Sequence, residues 1–275
     1  IVVKSDGLAA GKGVTICNSR EKALKNIKQI LNGKFTTSSK VFIEEYLEGD
    51  ELSYFIITDG KDFKCIGTAQ DHKRIGEGEK GLNTGGMGAY SPSQIINKSL
   101  EQKIIKKIIK PTIKGMSKIG YKYSGILYAG IIVKNNEPKL IEYNIRFGDP
   151  ECQVLMMRLE NDLVKLMLAV FNKKLKYTKI KWSKNPGITI VAANKGYPKR
   201  FKKNTEINGL KNLLGNKNKQ LFHAGTAINE NGKLIATGGR VLNSTVVSKS
   251  LKKAREEALL ILDKLKWKNK YYRRD

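Results

Sequence analysis

The side chains best suited to chemistry lie in one short segment, residues 142–151, which reads Glu-Tyr-Asn-Ile-Arg-Phe-Gly-Asp-Pro-Glu. Alternate side chains of an extended strand share one face. This places an acid, an amide and a guanidinium together: Glu142, Asn144 and Arg146. The opposite face would carry residues that favour burial: Tyr143, Ile145 and Phe147. The polar face suits Mg²⁺ bridging phosphates, because Mg²⁺ takes one or two oxygen side chains together with phosphates and water.

The same segment offers groups for substrate binding. Arg146 could hold a carboxylate or a transferred phosphoryl group through two parallel hydrogen bonds. Residues 148–150 then turn the chain into a predicted helix and leave Asp149 and Glu151 near its N-terminus. The alternative is a network of ion pairs on an exposed edge strand. We favour a functional site, since the intervening aromatic residues need burial behind the polar face.

A second candidate is the turn over residues 7–13, which is rich in glycine and alanine and follows Lys4. Glycine lets backbone N–H groups approach a phosphate closely because it has no Cβ. Together with Lys4, three residues of the turn are predicted to hold phosphates: Gly11, Lys12 and Gly13. The turn is not a Walker A loop, since Gly13 stands where that motif needs Ser or Thr. A hairpin tip that binds no ligand is the alternative.

A third candidate is a strand that runs out into a connecting segment, where backbone groups could meet the edge of an adenine ring. It contains Glu44, Glu45, Tyr46 and Leu47. The carboxylate of Glu51, a few residues later, could accept hydrogen bonds from both hydroxyls of a ribose. A surface turn with acidic residues would explain the same pattern without a ligand.

A fourth candidate combines residues 70–74, Gln-Asp-His-Lys-Arg, with a glycine cluster at residues 83–88. Three glycines within four residues predict a mobile flap or an anion-binding nest. Three charged residues at its base would attract substrate or phosphate: Asp71, Lys73 and Arg74. The two histidines, His72 and His223, have no partner pattern and are expected to be structural.

The elements that position these residues follow from hydrophobic periodicity. Strands are predicted over residues 1–4, 15–17, 41–47, 52–58, 63–69, 126–133, 139–145, 187–192, 221–228, 234–236 and 239–242. Helices are predicted over residues 19–31, 100–116, 151–171 and 248–265, with a kink or a new turn at Pro111. Residues 76–88 should form a loop and residues 173–184 a linker. The pattern is α+β with mixed sheets.

The net charge of +27 comes from 52 Lys and Arg residues against 25 Asp and Glu residues. Only nine of the basic residues are arginine, and the lysines are spread along the chain. We attribute the charge to a biased composition, because sites that read nucleic acid favour arginine and clustered aromatic residues. We therefore expect no specific nucleic-acid partner, although weak, salt-sensitive affinity for polyanions would follow.

The sequence also allows expectations about the cellular compartment of the protein and about whether the chain is a fragment. No run of about 18 apolar residues predicts a membrane span. The three cysteines are far apart and form no zinc pattern, which fits a reducing cytoplasm. The chain opens at Ile1 inside a predicted strand, so we expect a fragment that lacks an N-terminal portion.

Four segments, in this order, resemble the phosphoribosylamine–glycine ligases, also called glycinamide ribonucleotide synthetases, of the ATP-grasp superfamily: residues 4–14, 70–74, 83–92 and 146–151. The similarity covers essentially the whole chain, and residues 222–226 and 237–242 are similar to the C-terminal domain of that family. The resemblance implies an α+β ATP-grasp fold, with two α+β lobes and the nucleotide between them, followed by a small mixed β/α C-terminal domain. It places the small lobe at residues 1–48, the large lobe with the metal and substrate site at 49–172, a linker at 173–186 and the C-terminal domain at 187–275.

The resemblance further implies that ATP, glycine and 5-phosphoribosylamine give glycinamide ribonucleotide, ADP and phosphate through a glycyl phosphate, in purine biosynthesis. ATP and Mg²⁺ or Mn²⁺ are the implied cofactors, and a monomer without a membrane partner is expected. Lys4 and Lys12 would hold phosphates, residues 44–47 would meet adenine, and Glu51 the ribose. Glu142 and Asn144 would bind the metal. The remaining groups would serve the substrates and the acyl phosphate: Arg146, Asp149, Glu151, Asp71, Lys73 and Arg74.

The chain departs from the family pattern in small ways. The strand over residues 126–133 lacks the acid that many ATP-grasp enzymes carry there, as these ligases also do. Ser5 and Leu82 stand where we expect Ala and Pro, and Leu82 should loosen the flap. The family also has an N-terminal α/β domain ahead of the position of Ile1 and a tail after Asp275, so the fragment alone could lack full catalysis.

Three other interpretations stay open at this point. The chain could be an ATP-grasp ligase that joins a different acid and amine, because glycine is too small to leave a pocket signature. It could be a basic RNA-binding module. It could also be an inert fragment.

Overall fold

The computed structural model describes residues 1–7, 9, 13–35, 40–210 and 217–275. It divides into two compact units, residues 1–49 and residues 50–275. In the described parts of the chain, no helix is long and apolar enough to cross a membrane.

The described residues of the first unit form a three-stranded antiparallel sheet and one α-helix. Its strands are β1 (Val2–Ser5), β2 (Val14–Ile16) and β3 (Val41–Glu44), in the order β2-β1-β3. Helix α1 (Arg20–Gln29) begins at Ser19, whose side chain accepts a hydrogen bond from the Lys22 N–H at 3.2 Å, as the capping prediction requires. The helix ends in a π-helical turn in which Gly33 adopts a φ of +87°. A small core joins helix and sheet: Val3, Cys17, Ala23 and Ile30.

The second unit is built on a long sheet. Its strands are β4 (Asp50–Thr58), β5 (Phe63–Asp71), β6 (Arg74–Gly76), β7 (Lys80–Asn83), β8 (Gly88–Ser91), β9 (Gly125–Lys134), β10 (Glu137–Asn144), β11 (Gly187–Asn194), β12 (Thr205–Glu206), β13 (Lys219–His223), β14 (Thr226–Ile228), β15 (Leu234–Ala236), β16 (Arg240–Val247) and β17 (Lys270–Tyr271). Its helices are α2 (Lys98–Ile104), α3 (Lys110–Lys118), α4 (Glu151–Arg158), α5 (Leu163–Phe171) and α6 (Leu251–Lys264).

In the part of the second unit that the structure describes, the long sheet has nine strands in the order β10-β9-β4-β5-β8-β11-β16-β13, with β17 beside β11. We expected mixed sheets, and this is wrong: each of its strand pairs is antiparallel. The reason lies in the connections, because neighbours such as β4 and β5 or β9 and β10 are joined by tight hairpins, which only antiparallel strands allow. The predicted turn at Asn135 and Asn136 is confirmed, with φ values of 52° and 59°.

The two faces of the sheet carry separate cores. Helices α2 and α3 cover one face, where Leu52, Tyr54 and Ile56 of β4 are fully buried. A π-helical segment over Ile105–Ile109 joins the two helices, and α3 begins beside Pro111, as predicted. On the other face, Phe55 and Tyr128 stack at 4.6 Å in a core that α4 and α5 complete.

The predicted single helix over residues 151–171 is wrong. The chain leaves the helical conformation at Leu159, which forms a β-bridge with Trp182. A new helix, α5, begins at Asp162, whose side chain accepts from the Lys165 N–H at 3.1 Å. The apolar spacing is the same in both helices, so the periodicity gave no sign of the break.

The segment after α5 packs closely on the second unit. Leu175 is fully buried, and Trp182 contacts the core beneath α4 and α5. Arg158 donates to the carbonyl oxygens of Ser183 and Asn185, both at 3.0 Å. Burial lowers the pKa of Arg158 to about 10.

Two further predictions need correction. The segment over residues 76–88, which we expected to be a loop, contains strand β7. Strand β7 pairs with β6 in a two-stranded hairpin, and Met87, near the end of the segment, is buried. The strand expected over residues 221–228 is two strands in different sheets, β13 and β14, because the chain turns at residues 224–225. Helix α6 covers the C-terminal part of the long sheet, and Ser250 caps it by accepting from the Lys253 N–H at 3.2 Å.

Candidate active site

The register of four neighbouring strands in the second unit places polar side chains on one face of the sheet. Glu142 on β10 lies opposite Gly130 on β9, Gly130 opposite Ser53 on β4, and Ser53 opposite Ala69 on β5. Two residues further along their strands, Glu51 and Asp71 project from the same face as Ser53 and Ala69. The resulting concave surface is lined by Glu51, Ser53, Asp71, Lys73, Tyr128, Gly130 and Glu142. Hence the sheet brings together residues from three of the candidate motifs.

An ion pair lies at one side of this surface. The Lys73 Nζ atom is 2.6 Å from Oε2 of Glu51. Burial alone would lower the pKa of Lys73, but the Glu51 carboxylate, together with Tyr128 and Asp71, outweighs burial and the pKa is raised. Lys73 is therefore charged at neutral pH and available to attract an anionic group. A ribose bound by Glu51, as predicted, would have to use the same carboxylate that pairs with Lys73.

Asp71 is the most perturbed acid of the site. Its Oδ1 atom is buried and has no hydrogen-bond partner. Burial, followed by the negative charge of Glu151, raises the pKa of Asp71 well above 3.8, although Lys73 and Arg240 oppose the rise. A buried acceptor without a donor is costly, so this oxygen is suited to a donor that a ligand would bring.

Glu151 sits under the polar surface and is 2% exposed. Its Oε1 accepts a hydrogen bond from Ser53 Oγ at 3.1 Å, and the same Oγ lies 2.9 Å from the hydroxyl of Tyr128. Its place in the first turn of α4 is favourable for a carboxylate. Gly148 leaves room for it, because a Cβ there would lie 2.3 Å from Oε2 of Glu151.

The polar ridge of residues 142, 144 and 146 is present but is not one regular strand. Strand β10 ends at Asn144, and a bulge between Leu140 and Glu142 precedes the ridge. The three side chains are linked: Asn144 Nδ2 donates to Glu142 Oε1 at 3.2 Å, and Arg146 NH2 to Asn144 Oδ1 at 3.4 Å. Arg146 also donates to the carbonyl oxygen of Phe147 at 2.8 Å.

The predicted burial behind the ridge holds only in part. Tyr143 packs against the core under α2 and α3. Ile145 is 75% exposed, and Phe147 packs near Phe55 in the core on the opposite face of the sheet. Alternation fails here because the strand has already ended, so the period of two no longer applies.

Asp149 lies in the turn before α4 and is held by a residue from far along the chain. Its Oδ2 accepts from Arg240 NH2 at 2.8 Å, and its backbone oxygen accepts from Arg240 NH1 at 2.7 Å. Its Oδ1 accepts from Gln153 Nε2 at 2.9 Å. Asp149 and Glu151 thus lie at the N-terminal end of α4, as predicted, but with different partners.

Two neighbours of Asp71 face elsewhere. The Arg74 side chain donates to the carbonyl oxygen of Gly81 at 2.8 Å, inside the hairpin of β6 and β7. The His72 ring lies 3.0 Å from Glu79 Oε1 through Nδ1. The structure therefore does not bring Arg74 to the concave surface with Asp71 and Lys73.

In the first unit, Lys4 on β1 forms an ion pair with Glu44 on β3 at 2.7 Å. Glu45, Tyr46 and Leu47 follow that strand, outside regular structure, and Tyr46 is 53% exposed. Gly13 begins the return into β2, and its carbonyl oxygen accepts from the Ser5 N–H at 2.9 Å. The predicted phosphate ligands Gly11 and Lys12 lie outside the described residues.

Sequence reasoning missed three residues in or beside the site: Ser53, Tyr128 and Arg240. Ser53 could have been found from its spacing, because it stands two residues after Glu51 in a predicted strand. Tyr128 could have been found only with the register of β9 against β4. Arg240 follows two glycines in a segment that was noted solely for its resemblance.

Within the described ranges, no group of three or more His, Cys, Asp or Glu side chains could hold a metal ion. The donors present are the Glu142 carboxylate and the Asn144 amide oxygen, linked by one hydrogen bond. A pair of oxygen donors fits Mg²⁺ when phosphates and water complete its coordination, and it does not fit a closed protein cage.

Solved structures define the class of protein first. The phosphoribosylamine–glycine ligase of Thermotoga maritima superposes with a TM-score of 0.91 at 33% identity, over 100% of this chain and 68% of that one. The biotin carboxylase domain of the Hydrogenobacter thermophilus 2-oxoglutarate carboxylase, solved with MgADP, has a TM-score of 0.71 at 17% identity, over 98% of this chain and 58% of that one, which shows the fold alone. The chain has the α+β ATP-grasp fold.

The family follows from the sequence comparisons. Residues 1–152 match the phosphoribosylglycinamide synthetase ATP-grasp (A) domain, and residues 187–275 match the C domain of the same synthetase. The chain belongs to the phosphoribosylglycinamide synthetase family. It is 46% identical to the phosphoribosylamine–glycine ligase of Agrobacterium fabrum over 100% of its own length, and 47% identical to that of Vigna unguiculata over 97%. It spans 64% of the Agrobacterium relative and 88% of the Vigna relative.

Proposed function

We propose that the protein to which this chain belongs ligates glycine to 5-phosphoribosylamine at the expense of ATP, giving glycinamide ribonucleotide, ADP and phosphate in de novo purine biosynthesis. The observation that carries the proposal is the shared concave surface of Glu51, Asp71, Lys73 and Glu142 in a chain of this family. It combines oxygen donors for a metal, a charged amine for an anion and a perturbed acid.

The proposed chemistry has two steps. A glycine carboxylate oxygen attacks the γ-phosphorus of ATP, the bond to the bridging oxygen breaks and ADP leaves. The amine of 5-phosphoribosylamine then attacks the carbonyl carbon of glycyl phosphate, phosphate leaves and the amine loses a proton. In such phosphoryl transfers the protein mainly positions the reactants and neutralises charge.

The residues of the second unit fit these tasks. Lys73 would attract the phosphoryl group, and Arg146 would hold a carboxylate or phosphoryl oxygen with its exposed guanidinium. Asp71, with an oxygen that lacks a donor, suits the ammonium group of glycine or the incoming amine. Glu142 and Asn144 would hold Mg²⁺ or Mn²⁺, which when bound would neutralise phosphate charge.

The remaining assignments belong to the same proposal. Lys4, Lys12 and the turn around them would hold phosphates, residues 44–47 would contact adenine, and Glu51 the ribose. Asp149 and Glu151 would support the acyl-phosphate site. Residues 1–48 and 49–172 would be the two lobes, 173–186 the linker and 187–275 the C-terminal domain. We further propose a monomer that works in the cytoplasm and binds no specific nucleic acid.

The test uses the full-length protein with ATP, a divalent metal and both substrates, and follows ADP and glycinamide ribonucleotide together. A panel of other small amino acids and amines replaces each substrate in turn. We expect one ADP per product with glycine and 5-phosphoribosylamine. Turnover only with a different pair would assign the protein to another carboxylate–amine ligase, and the absence of any turnover would contradict the proposal.

The metal site has its own test. Glu142→Gln keeps the shape of the side chain but removes a negative donor, so we expect the Mg²⁺ concentration for half-maximal turnover to rise by about tenfold or more. Glu137→Gln on the same strand is the matched control, because Glu137 pairs with surface lysines. Equal metal dependence in the two variants would exclude Glu142 as a ligand.

A further inference from the structure

Arg240, the first residue of β16, belongs to the C-domain region and donates hydrogen bonds to two separate segments of the ATP-grasp region. Its NH1 atom donates to the carbonyl oxygen of Gly85 at 2.6 Å and to that of Asp149 at 2.7 Å. Its NH2 atom donates to the Asp149 carboxylate at 2.8 Å. One guanidinium therefore joins the glycine-rich loop of residues 83–88 to the turn that leads into α4.

A second side chain from the C-domain region holds the same loop residue from its other side. The Tyr197 hydroxyl accepts a hydrogen bond from the Gly85 N–H at 3.0 Å. The peptide groups before and after the Gly85 Cα are thus both engaged, one by Tyr197 and one by Arg240. A Cβ on Gly85 would lie 3.0 Å from Cζ of Arg240, so a larger residue would push the guanidinium away.

The loop that Arg240 and Tyr197 hold lies against Asp71 of the candidate active site. Gly86 has a φ of +111°, and a Cβ there would lie 2.6 Å from Oδ1 of Asp71 and 2.4 Å from Cδ of Pro150. The loop therefore covers the buried oxygen of Asp71, and it does so only while its backbone stays in this conformation. A loop this rich in glycine has many alternative conformations, so contacts from outside must fix it.

We propose that Arg240 is a positioning residue of the ligase, which together with Tyr197 clasps the glycine-rich loop over the acid cluster and so keeps the activated acyl group from reacting with water. The inference rests on the proposed function. An acyl phosphate is lost to hydrolysis when a site opens before the amine attacks, so closure of the loop determines how much ATP use is coupled to product.

The charge of Arg240 gives it a second effect at the same place. Arg240 has a side chain only 21% exposed, forms an ion pair with Asp149 and acts electrostatically on the carboxyl group of Asp71. Its removal would leave these acids with less compensation and would weaken the turn as well as the loop. A lysine could restore part of the charge but not the fork that reaches two carbonyl oxygens and a carboxylate.

The experiment compares Arg240→Met, Arg240→Lys and Tyr197→Phe in the full-length protein. Arg274→Met is the matched control, because Arg274 makes an exposed ion pair with Asp263. Two quantities are measured: ADP formed per glycinamide ribonucleotide, and amide hydrogen exchange of the peptide that contains residues 83–88.

For Arg240→Met we expect kcat to fall by about 10- to 100-fold, the KM for ATP to change little, and the ADP to product ratio to rise above one. Exchange in the loop should accelerate by about tenfold or more. Arg240→Lys should recover part of the coupling, and Tyr197→Phe should accelerate exchange with a smaller loss of rate. Arg274→Met should behave as the unmodified protein.

A ratio of one ADP per product in Arg240→Met, together with unchanged amide hydrogen exchange of residues 83–88, would overturn the proposal. If Arg240→Met fails to fold, the folded Arg240→Lys and Tyr197→Phe variants decide: full coupling together with unchanged exchange in both would overturn it. Failure of the proposed function is distinguishable, since the unmodified protein would then form no product while loop exchange could still be measured.

Discussion

Ser53 and Glu151 are 98 positions apart in the sequence, yet Ser53 Oγ donates a hydrogen bond to Glu151 Oε1 at 3.1 Å in the buried interior. The bond joins the central strand β4 to the first turn of α4. It fixes the carboxylate beneath the concave surface where Asp71 and Lys73 also lie. The hydroxyl of Ser53 therefore adds a polar link between β4 and α4 to the apolar packing of Leu155 in the same core.

Replacing Ser53 by Ala should destabilise the second unit. The change leaves a buried carboxylate without a donor, and hydrogen bonds to charged groups contribute about 1.5–3 kcal/mol. Urea unfolding followed by circular dichroism measures the loss. Ser248→Ala is the control, because Ser248 Oγ reaches Glu257 at 3.4 Å in a partly exposed position. Equal effects of the two substitutions would contradict the importance of the buried bond.

Asp71 should make stability depend on pH. Because its pKa is raised in the folded protein, the folded state binds the proton more tightly than the unfolded state. Stability should fall as pH rises from the ordinary value of 3.8 through the raised value. Asp71→Asn removes this ionisation, so the stability of the variant relative to the unmodified protein should increase with pH, measured by urea unfolding between about pH 5 and 8.

The control residue for that experiment is Asp263, whose pKa is shifted in the opposite direction. A hydrogen bond from Arg274 lowers the pKa of Asp263 to about 2. Its stabilising contribution is present above the ordinary value and is lost only as pH falls towards about 2. Asp263→Asn should therefore show a constant difference from the unmodified protein across the neutral range. A constant difference for Asp71→Asn as well would refute the prediction.

Gly86→Ala should disable the site as well as lower stability. Its φ of +111° disfavours any side chain, and the added Cβ would meet Pro150 and Asp71 within 2.6 Å. We expect a loss of about 1–3 kcal/mol and a large loss of turnover. Gly120→Ala shares a positive φ of +89° but has open space around it. It should lose stability alone, so a loss of turnover in both variants would argue against a specific role for the loop.

The pair of Lys73 and Glu51 should matter for catalysis more than for stability. Both side chains are over one-third exposed, so a double-mutant cycle of Lys73→Met and Glu51→Gln should give a coupling of only about 0.2–1 kcal/mol in unfolding. Turnover should fall by about 100-fold in Lys73→Met, because the charge that we propose to attract the transferred phosphoryl group is lost.

The matched pair for this cycle is Lys233 and Glu206, at 2.9 Å on the surface. Lys233→Met should give a similar coupling in unfolding and no loss of turnover. Full activity of Lys73→Met would remove Lys73 from the proposed phosphate site.

Local features of the fold were predictable because they depend on neighbours in sequence. The hairpin at Asn135 and Asn136, the Ser19 cap and the new helical turn at Pro111 each follow from the conformational preference of one or two residues. The break after Arg158 was not predictable, since it depends on the bridge between Leu159 and Trp182.

The sequence alone determined the family, the ridge of Glu142, Asn144 and Arg146, and the glycine-rich loop, because motifs and alternation are properties of short segments. Tertiary structure decided which of these residues meet. In the folded chain, Asp71 Oδ1 is a buried acceptor without a donor, and Arg74 donates a hydrogen bond within the hairpin of β6 and β7. Arg240 donates a hydrogen bond to Gly85, which lies 155 positions earlier in the sequence. Strand register and packing set such contacts, and neither is encoded within any single segment.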